Sequence, residues 1–193
     1  MSDFVKAAQN GDLNEVKRLF ALNPDIINEK DREDDTAIIK ACRNCNTIDV
    51  VSFLLENGAN INDKPYRDSI DQTPLIIAAF NGCTDIVRML IDAGADIHHR
   101  NDQGENALIS ATQEGNIDVV NVLFDAGANI NQENSDGETA LSLAVKLKQK
   151  KELIDFLREK TDGAMGIKKK RKTLRKRKRK RFKKGKSRKT KRM

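Results

Sequence analysis

Apolar positions along this chain fall in short clusters at helical spacing, and the clusters return at a nearly constant interval. The segment Thr73-Pro-Leu-Ile-Ile-Ala-Ala79 has counterparts in Thr36-Ala-Ile-Ile-Lys-Ala-Cys42, Asn106-Ala-Leu-Ile-Ser-Ala-Thr112 and Thr139-Ala-Leu-Ser-Leu-Ala-Val145, whose starts lie 37, 33 and 33 residues apart. Gly58-Ala-Asn-Ile61, Gly94-Ala-Asp-Ile97 and Gly127-Ala-Asn-Ile130 keep the same register. Between these markers stand Ile48-Asp-Val-Val51, Asp85-Ile-Val87 and Ile117-Asp-Val-Val120. Self-similarity at such a period is the mark of a stacked repeat array.

Each unit predicts two short helices. Thr or Asn at the start of the first can cap free backbone N–H groups. Pro74 falls at the first helical position, where its missing N–H costs little. Leu75, Ala78 and Ala79 share a face, and the alanines let a neighbouring helix come close. Asn81-Gly82 and Glu114-Gly115 end the first helix. Asp85 and Asp118 fall near the start of the second, where negative charge meets the positive end of the helix dipole. Its apolar stripe is Ile86, Val87, Leu90 and Ile91, repeated as Val119, Val120, Leu123 and Phe124, and Gly94 and Gly127 stop it. One such unit cannot bury its apolar face alone, whereas a stack of three or more can. At Phe4–Phe20 the same spacing recurs without the Thr-Pro opening. At Thr139–Lys160 Lys148 replaces the mid-turn glycine and lysines multiply, as a solvated end cap requires.

The 33-residue period, with Thr-Pro-Leu, Ala-Ala, a turn glycine and Gly-Ala-Asp-Ile in register, resembles the ankyrin repeat over about residues 4–160. The resemblance implies an all-α fold, a solenoid of four to five helix-turn-helix units. Expected boundaries are an N-terminal cap at 1–35 and repeats at about 36–70, 71–103 and 104–138. A C-terminal cap at 139–162 and a disordered polybasic tail at 163–193 complete the division. The chain departs from the family in the residue after Thr-Pro-Leu, where Ile39, Ile76, Ile109 and Ser142 replace the usual histidine. It has a longer inter-helix turn in the second unit and a longer outer loop at Asn62–Gln72.

Charge divides the chain in two. Residues 166–193 hold 19 Lys or Arg in 28 positions and no acid; the other 17 of the 36 basic residues face all 29 acids in 1–165, a net of −12. An acidic body with a tail of about +19 points to two tasks, one of them electrostatic.

The resemblance implies a binding scaffold that contacts a protein partner through its finger tips and the exposed edge of its first helices. Those positions are Arg32, Glu33, Asp35 and Arg43 in one unit and Ser69, Ile70, Gln72, Phe80 and Asn81 in the next. Asp102, Gln103, Glu105, Gln113 and Glu114 follow, then Ser135, Asp136, Glu138 and Lys146. Phe80 is an aromatic in mid-array, the residue class enriched at binding hot spots. Acids dominate from Glu33 to Glu138, which favours a partner with a basic surface; solvated polar fingers are the plain alternative.

The tail is too charged and too poor in apolar residues to offset chain entropy, so it is expected to be disordered when free. Its runs Lys168, Lys169, Lys170, Arg171, Lys172 and Arg175, Lys176, Arg177, Lys178, Arg179, Lys180, Arg181 fit a nuclear-import signal read by an import receptor. They also fit non-specific RNA or DNA binding, and the two can both hold. A fold-back onto the acidic body is a third reading.

Catalytic chemistry has little material here. Cys42-Arg-Asn-Cys45 has metal or redox spacing, but Cys42 takes the slot of Ala79, a buried small residue, and no second pair completes a site. His98 and His99 fall in an outer loop. No phosphate-binding glycine loop is present. The expectation is a monomeric, non-enzymatic interaction scaffold or adaptor without cofactor or metal, the alternative being a nucleic-acid-associated structural protein, of viral type among others, that acts through its tail. No secretory leader pattern opens the chain, and no apolar run reaches the roughly 18–20 residues of a membrane span. Nucleus or cytoplasm is therefore expected, with Cys42, Cys45 and Cys83 as free thiols.

Overall fold

The computed structural model describes residues 3–65 and 71–163. These form five helix pairs in chain order. The first is α1 (Asp3–Asn10) and α2 (Leu13–Leu22), followed by a 3-10 turn at Pro24–Asn28. Next come α3 (Ala37–Ala41) with α4 (Ile48–Glu56), then α5 (Pro74–Phe80) with α6 (Thr84–Asp92). The fourth pair is α7 (Ala107–Gln113) with α8 (Ile117–Asp125), and the fifth is α9 (Ala140–Lys146) with α10, residues 151–163. Among the described residues no β-strand forms; an isolated antiparallel bridge joins Glu133 and Thr139.

The helix starts follow the sequence chemistry in three of the four units with a Thr or Asn opening. The side chain of Thr73 accepts from the N–H of Ile76, that of Asn106 from Ile109 and that of Thr139 from Ser142. Ser142 in turn accepts from the Thr139 backbone N–H, closing a capping box. Thr36 departs from this pattern: its hydroxyl is buried without a hydrogen-bond partner. The second unit also has the long inter-helix turn expected of it, residues 42–47 against 81–83 in the third unit. Lys148 stands at φ 55°, in the left-handed conformation that Gly82 and Gly115 occupy in the preceding units, so the fifth turn keeps its shape at a steric cost.

Stacking joins the pairs. First helices lie side by side, α1 on α3, α5 on α7 and α7 on α9, and second helices do the same, α4 on α6 and α6 on α8. Ala78, Ala79, Ala111 and Ala144 are fully buried at these contacts, which is why the helices approach closely. One continuous core runs from Phe4 through Val51, Leu90 and Leu123 to Leu157. Edge-on ring contacts, Phe20 with Phe53 at 5.5 Å and Phe124 with Phe156 at 5.8 Å, tie outer helices near the two ends. The α3–α5 contact is the thinnest between neighbouring first helices, although the same α3 packs closely on α1.

At this thin joint the structure corrects the expectation of three free thiols. Cys45, in the second inter-helix turn, is disulfide-bonded to Cys83, the residue preceding α6, with Cα atoms 4.7 Å apart. Cys42 is free and fully buried, the small core residue expected of it, and burial drives its thiol pKa far up. The pairing arises because stacking brings equivalent turns of adjacent units together, which the spacing within one unit does not reveal.

Candidate functional site

Each described finger is built by one side chain. Asp31 Oδ1 accepts from the N–H groups of Glu33 and Asp35, Asn101 Oδ1 from those of Gln103 and Glu105, and Asn134 Oδ1 from those of Asp136 and Glu138, all at 2.8–3.1 Å. A backbone bond from the N–H of residue 31 to the carbonyl of 35 closes the first turn, with the same closure at 101/105 and 134/138. Asn101 and Asn134 are buried, so these side chains serve as internal turn posts. The fourth and fifth fingers also join each other, Ser135 N–H donating to the Gln103 carbonyl at 2.9 Å.

A clamp then ties the last finger residue to a residue at or just past the end of the first helix, eight residues on. Arg43 donates to Asp35 at 2.9 Å, Gln113 to Glu105 at 2.6 Å and Lys146 to Glu138 at 2.6 Å. The Lys146 hydrogen bond holds the Glu138 carboxyl below its ordinary pKa, and the same bond raises that of Lys146. In the third unit the corresponding positions are Gln72 and Phe80, and an aromatic ring cannot make this bond. Phe80 is instead 43% exposed, one of four large apolar residues exposed among the described residues, and it holds the repeat position of Arg43, Gln113 and Lys146.

The second unit contains a buried charge cluster that sequence reasoning overlooked. Lys40 lies in α3 at the slot of Ile77 and Leu143, and its side chain is only 2% exposed. Its ammonium pairs with Asp35 at 2.9 Å, with Glu33 at shorter range and with Asp31 at 3.8 Å. Burial opposes the charge, but the hydrogen bonds to Glu33 and Asp35 outweigh it, and the Lys40 pKa lies above its usual value. A lysine in an apolar slot with four acids, Asp31, Glu33, Asp34 and Asp35, close before it was the available signal.

These contacts revise the expected binding face. Arg32, Glu33, Arg43, Phe80, Asn81, Asp102, Gln103, Glu114, Ser135 and Asp136 are exposed. Gln72, Gln113 and Glu138 are half-buried. Asp35 and Glu105 are buried inside their own fingers and are removed from the presented surface. The acids nearest the first helices are thus engaged by Arg43, Gln113 and Lys146, and among the expected binding positions the exposed acids are Glu33, Asp102, Glu114 and Asp136. Ser69, Ile70 and the basic residues from Lys168 to Arg181 lie outside the described residues. His98 is exposed as expected. His99 is half-buried, its ring Nε2 3.1 Å from the Asp71 backbone carbonyl, so it holds the base of the third finger. Among the described residues no group of three or more His, Cys, Asp or Glu is placed to hold a metal ion, and no helix is long and apolar enough to cross a membrane.

Stacked helix pairs with projecting turns and a line of exposed first-helix ends define an interaction scaffold. A family profile for ankyrin repeats in three copies matches residues 4–101 and again 93–172, and the chain belongs to the ankyrin-repeat family. Among similar proteins is protein phosphatase 1 regulatory subunit 27 of Mus musculus, 32% identical over 102 residues, which cover 53% of this chain and 64% of that protein. E3 ubiquitin-protein ligase XB3 of Oryza sativa subsp. japonica is 35% identical over 95 residues, 49% of this chain and 20% of the ligase. Ankyrin repeat and KH domain-containing protein mask-1 of Caenorhabditis elegans is 36% identical over 102 residues, 53% of this chain and 4% of that protein. The chain spans less than two thirds of the length of each. Membership supports a protein–protein interaction role.

Proposed function

We propose that the array captures a protein partner on the line Arg43, Phe80, Gln113 and Lys146, with Phe80 as the anchor, and that the chain is an adaptor without catalysis. The observation carrying this reading is the broken clamp. Three fingers are tied to the helix behind them by a polar pair, and the unit that lacks the pair exposes an aromatic ring in its place. An exposed aromatic set among amphipathic and charged neighbours is the arrangement of a binding hot spot. Covering its exposed 43% is worth about 2 kcal/mol from apolar burial alone.

The test restores the clamp. Gln72→Glu with Phe80→Gln copies the Glu105–Gln113 pair into the third unit. Affinity capture is performed with the full chain and with this double variant, each with and without nuclease, and the captured protein is then titrated against both. The reading expects a nuclease-resistant partner whose affinity falls about 30-fold or more in the double variant, while urea unfolding is unchanged or improved. Equal affinity of both forms refutes Phe80 as the anchor.

A second reading concerns the tail. The density of charge in 166–193 supports nuclear import, nucleic-acid contact, or both, and with them a nuclear location. Counterion release makes such nucleic-acid binding steeply salt-dependent, with a log–log slope of about −0.9 per phosphate contacted on duplex DNA. Binding to duplex DNA that survives unchanged from low to high salt is incompatible with this reading, as is import that persists after residues 166–193 are removed.

A further inference from the structure

The Cys45–Cys83 bond stands at a position with a meaning elsewhere in the array. Cys83 follows the turn glycine of its unit; the equivalent residues are Asn116 and Gln149. Each of these reaches back to the preceding unit. Asn116 Nδ2 donates to the carbonyls of Ala79 and Phe80 at 3.1 and 2.9 Å, and Gln149 Nε2 donates to the carbonyl of Gln113. At the junction of the second and third units this amide tie is absent, and a covalent bond takes its place. This is also the junction where the first helices touch least. The bond therefore replaces a permanent hydrogen-bonded tie with one that chemistry can open.

Access favours opening from one side. Cys45 is exposed, whereas Cys83 is 2% exposed. A small thiolate meets the exposed Cys45 before the shielded Cys83. Cys42, three residues away, is buried and held as the thiol, so it does not compete as an internal nucleophile. The sulfur of Cys45 also lies 3.6 Å from the carbonyl oxygen of Asn81, the residue after Phe80, so the bond adjoins the end of α5.

We propose that Cys45–Cys83 is a thiol–disulfide exchange site for a small thiol of the glutathione class, and that its oxidation state sets the rigidity of the joint between the second and third repeats. In the reducing direction a thiolate attacks Cys45 Sγ, the Cys45–Cys83 bond breaks, and Cys83 leaves as a thiolate that takes up a proton. A second thiolate attacks the small-thiol sulfur of the mixed disulfide, releasing the symmetrical small disulfide and Cys45 as a thiol. Two electrons and two protons pass from two small thiols to the protein, and the small disulfide drives the reverse reaction. Oxidised, the joint is covalently closed; reduced, it is held by the thin α3–α5 contact, by α4 on α6 and by the Asp96 N–H donating to Asn62 Oδ1 at 3.0 Å. The consequence for a partner on Phe80 rests on the proposed function, but the exchange and the loosening do not.

The experiment uses the full chain equilibrated in glutathione buffers of graded redox poise. Thiols are counted by alkylation under denaturing conditions and mass spectrometry, and backbone hydrogen exchange is followed at each end of the series. The expected result is one alkylated cysteine, Cys42, in the oxidising buffers and three in the reducing ones. Reduction should lower protection in residues 37–56 and 74–92 by ~10-fold or more, with α7, α8 and α9 changed far less. Cys45→Ser should give the reduced exchange pattern in every buffer, and Cys42→Ser should leave the response intact. Three alkylated cysteines even under excess glutathione disulfide would overturn the proposal, as would a bond that forms and breaks with no change in exchange at α3 and α5. Neither result bears on Phe80, whose own test compares partner affinity of the full chain and the Gln72→Glu, Phe80→Gln variant in one and the same buffer.

Discussion

Replacing Lys40 with leucine, the residue that the fifth unit carries at the same slot, removes the only cation buried in the second unit's charge cluster among the described residues. Leucine fits the slot, so packing loss is small; the electrostatic loss is not. Asp35 and Asp31, with side chains 3% and 0% exposed, lose the ammonium 2.9 and 3.8 Å away. Asp35 keeps Arg43 at 2.9 Å, but that guanidinium is 46% exposed and shared with solvent. Removing one partner of a buried ion pair costs about 3–5 kcal/mol, because the remaining charge stays desolvated and uncompensated. An array of this size has total stability of about 5–15 kcal/mol, so the loss is a large fraction. In a solenoid it falls first on the unit that bears it and on that unit's neighbours. Urea unfolding of Lys40→Leu, followed by circular dichroism together with hydrogen exchange, should show α1–α4 opening well before α7–α10. Adding Asp35→Asn removes one of the buried charges left uncompensated and should recover at least ~1 kcal/mol. The pH dependence follows from the direction of the shift. The folded pKa of Lys40 is raised, so its stabilisation is complete below the unfolded value of about 10.4 and fades as pH rises through the folded value. The gap between wild type and Lys40→Leu should therefore be the same at pH 7 and pH 9 and narrow only in more alkaline solution. A loss under ~1 kcal/mol at pH 7, or a gap that closes between pH 7 and 9, would refute the assignment of Lys40 as the charge that compensates the buried acids.

Three further outcomes test the geometry. Gly104 and Gly137 hold equivalent turn positions at φ 73° and 76°, but a Cβ on Gly104 would meet the Ser135 backbone nitrogen at 2.8 Å, whereas one on Gly137 meets nothing within 4 Å. Gly137→Ala should cost ~1 kcal/mol for the backbone conformation alone, and Gly104→Ala distinctly more, because the fourth and fifth fingers must part; equal losses in thermal unfolding would contradict the finger contact. Lys148→Gly should stabilise the last unit by roughly 0.5–1 kcal/mol, the left-handed penalty less the entropy glycine adds to the unfolded chain, and a lowered midpoint would show that the lysine side chain contributes more than its backbone costs. Cross-linking residues 38 apart removes unfolded-chain entropy worth about 4 kcal/mol, so Cys45→Ser should unfold at lower urea than the oxidised protein and match it once both are reduced.

The part of this molecule legible along the chain is the part built from local chemistry repeated at a fixed period. Thr73, Asn106 and Thr139 cap because a side-chain oxygen sits three residues before a free N–H, and Leu75, Ile86, Val120 and Leu123 are buried because their spacing puts them on one helical face. The ankyrin architecture follows from that periodicity. Stacking decided the rest, since it brings together residues separated by about one repeat. Cys45 and Cys83 are 38 residues apart, and their pairing needs two inter-helix turns laid side by side. Two cysteines in equivalent turns, about one period apart, were a signal that a reading unit by unit passes over. Asp35 and Glu105 are acids in polar loops, yet their burial depends on Arg43 and Gln113 folding back over the finger. Phe80 was visible as an aromatic in mid-array, but its standing as the break in a row of clamps appears only when the neighbouring units supply the comparison. Lys40 is of a residue type that ordinarily faces solvent, yet it is held inside by three acids that only the folded finger delivers. Helix-forming preference is a property of neighbouring residues in the chain, whereas the burial of a charge or the partner of a thiol depends on what the next repeat places against it.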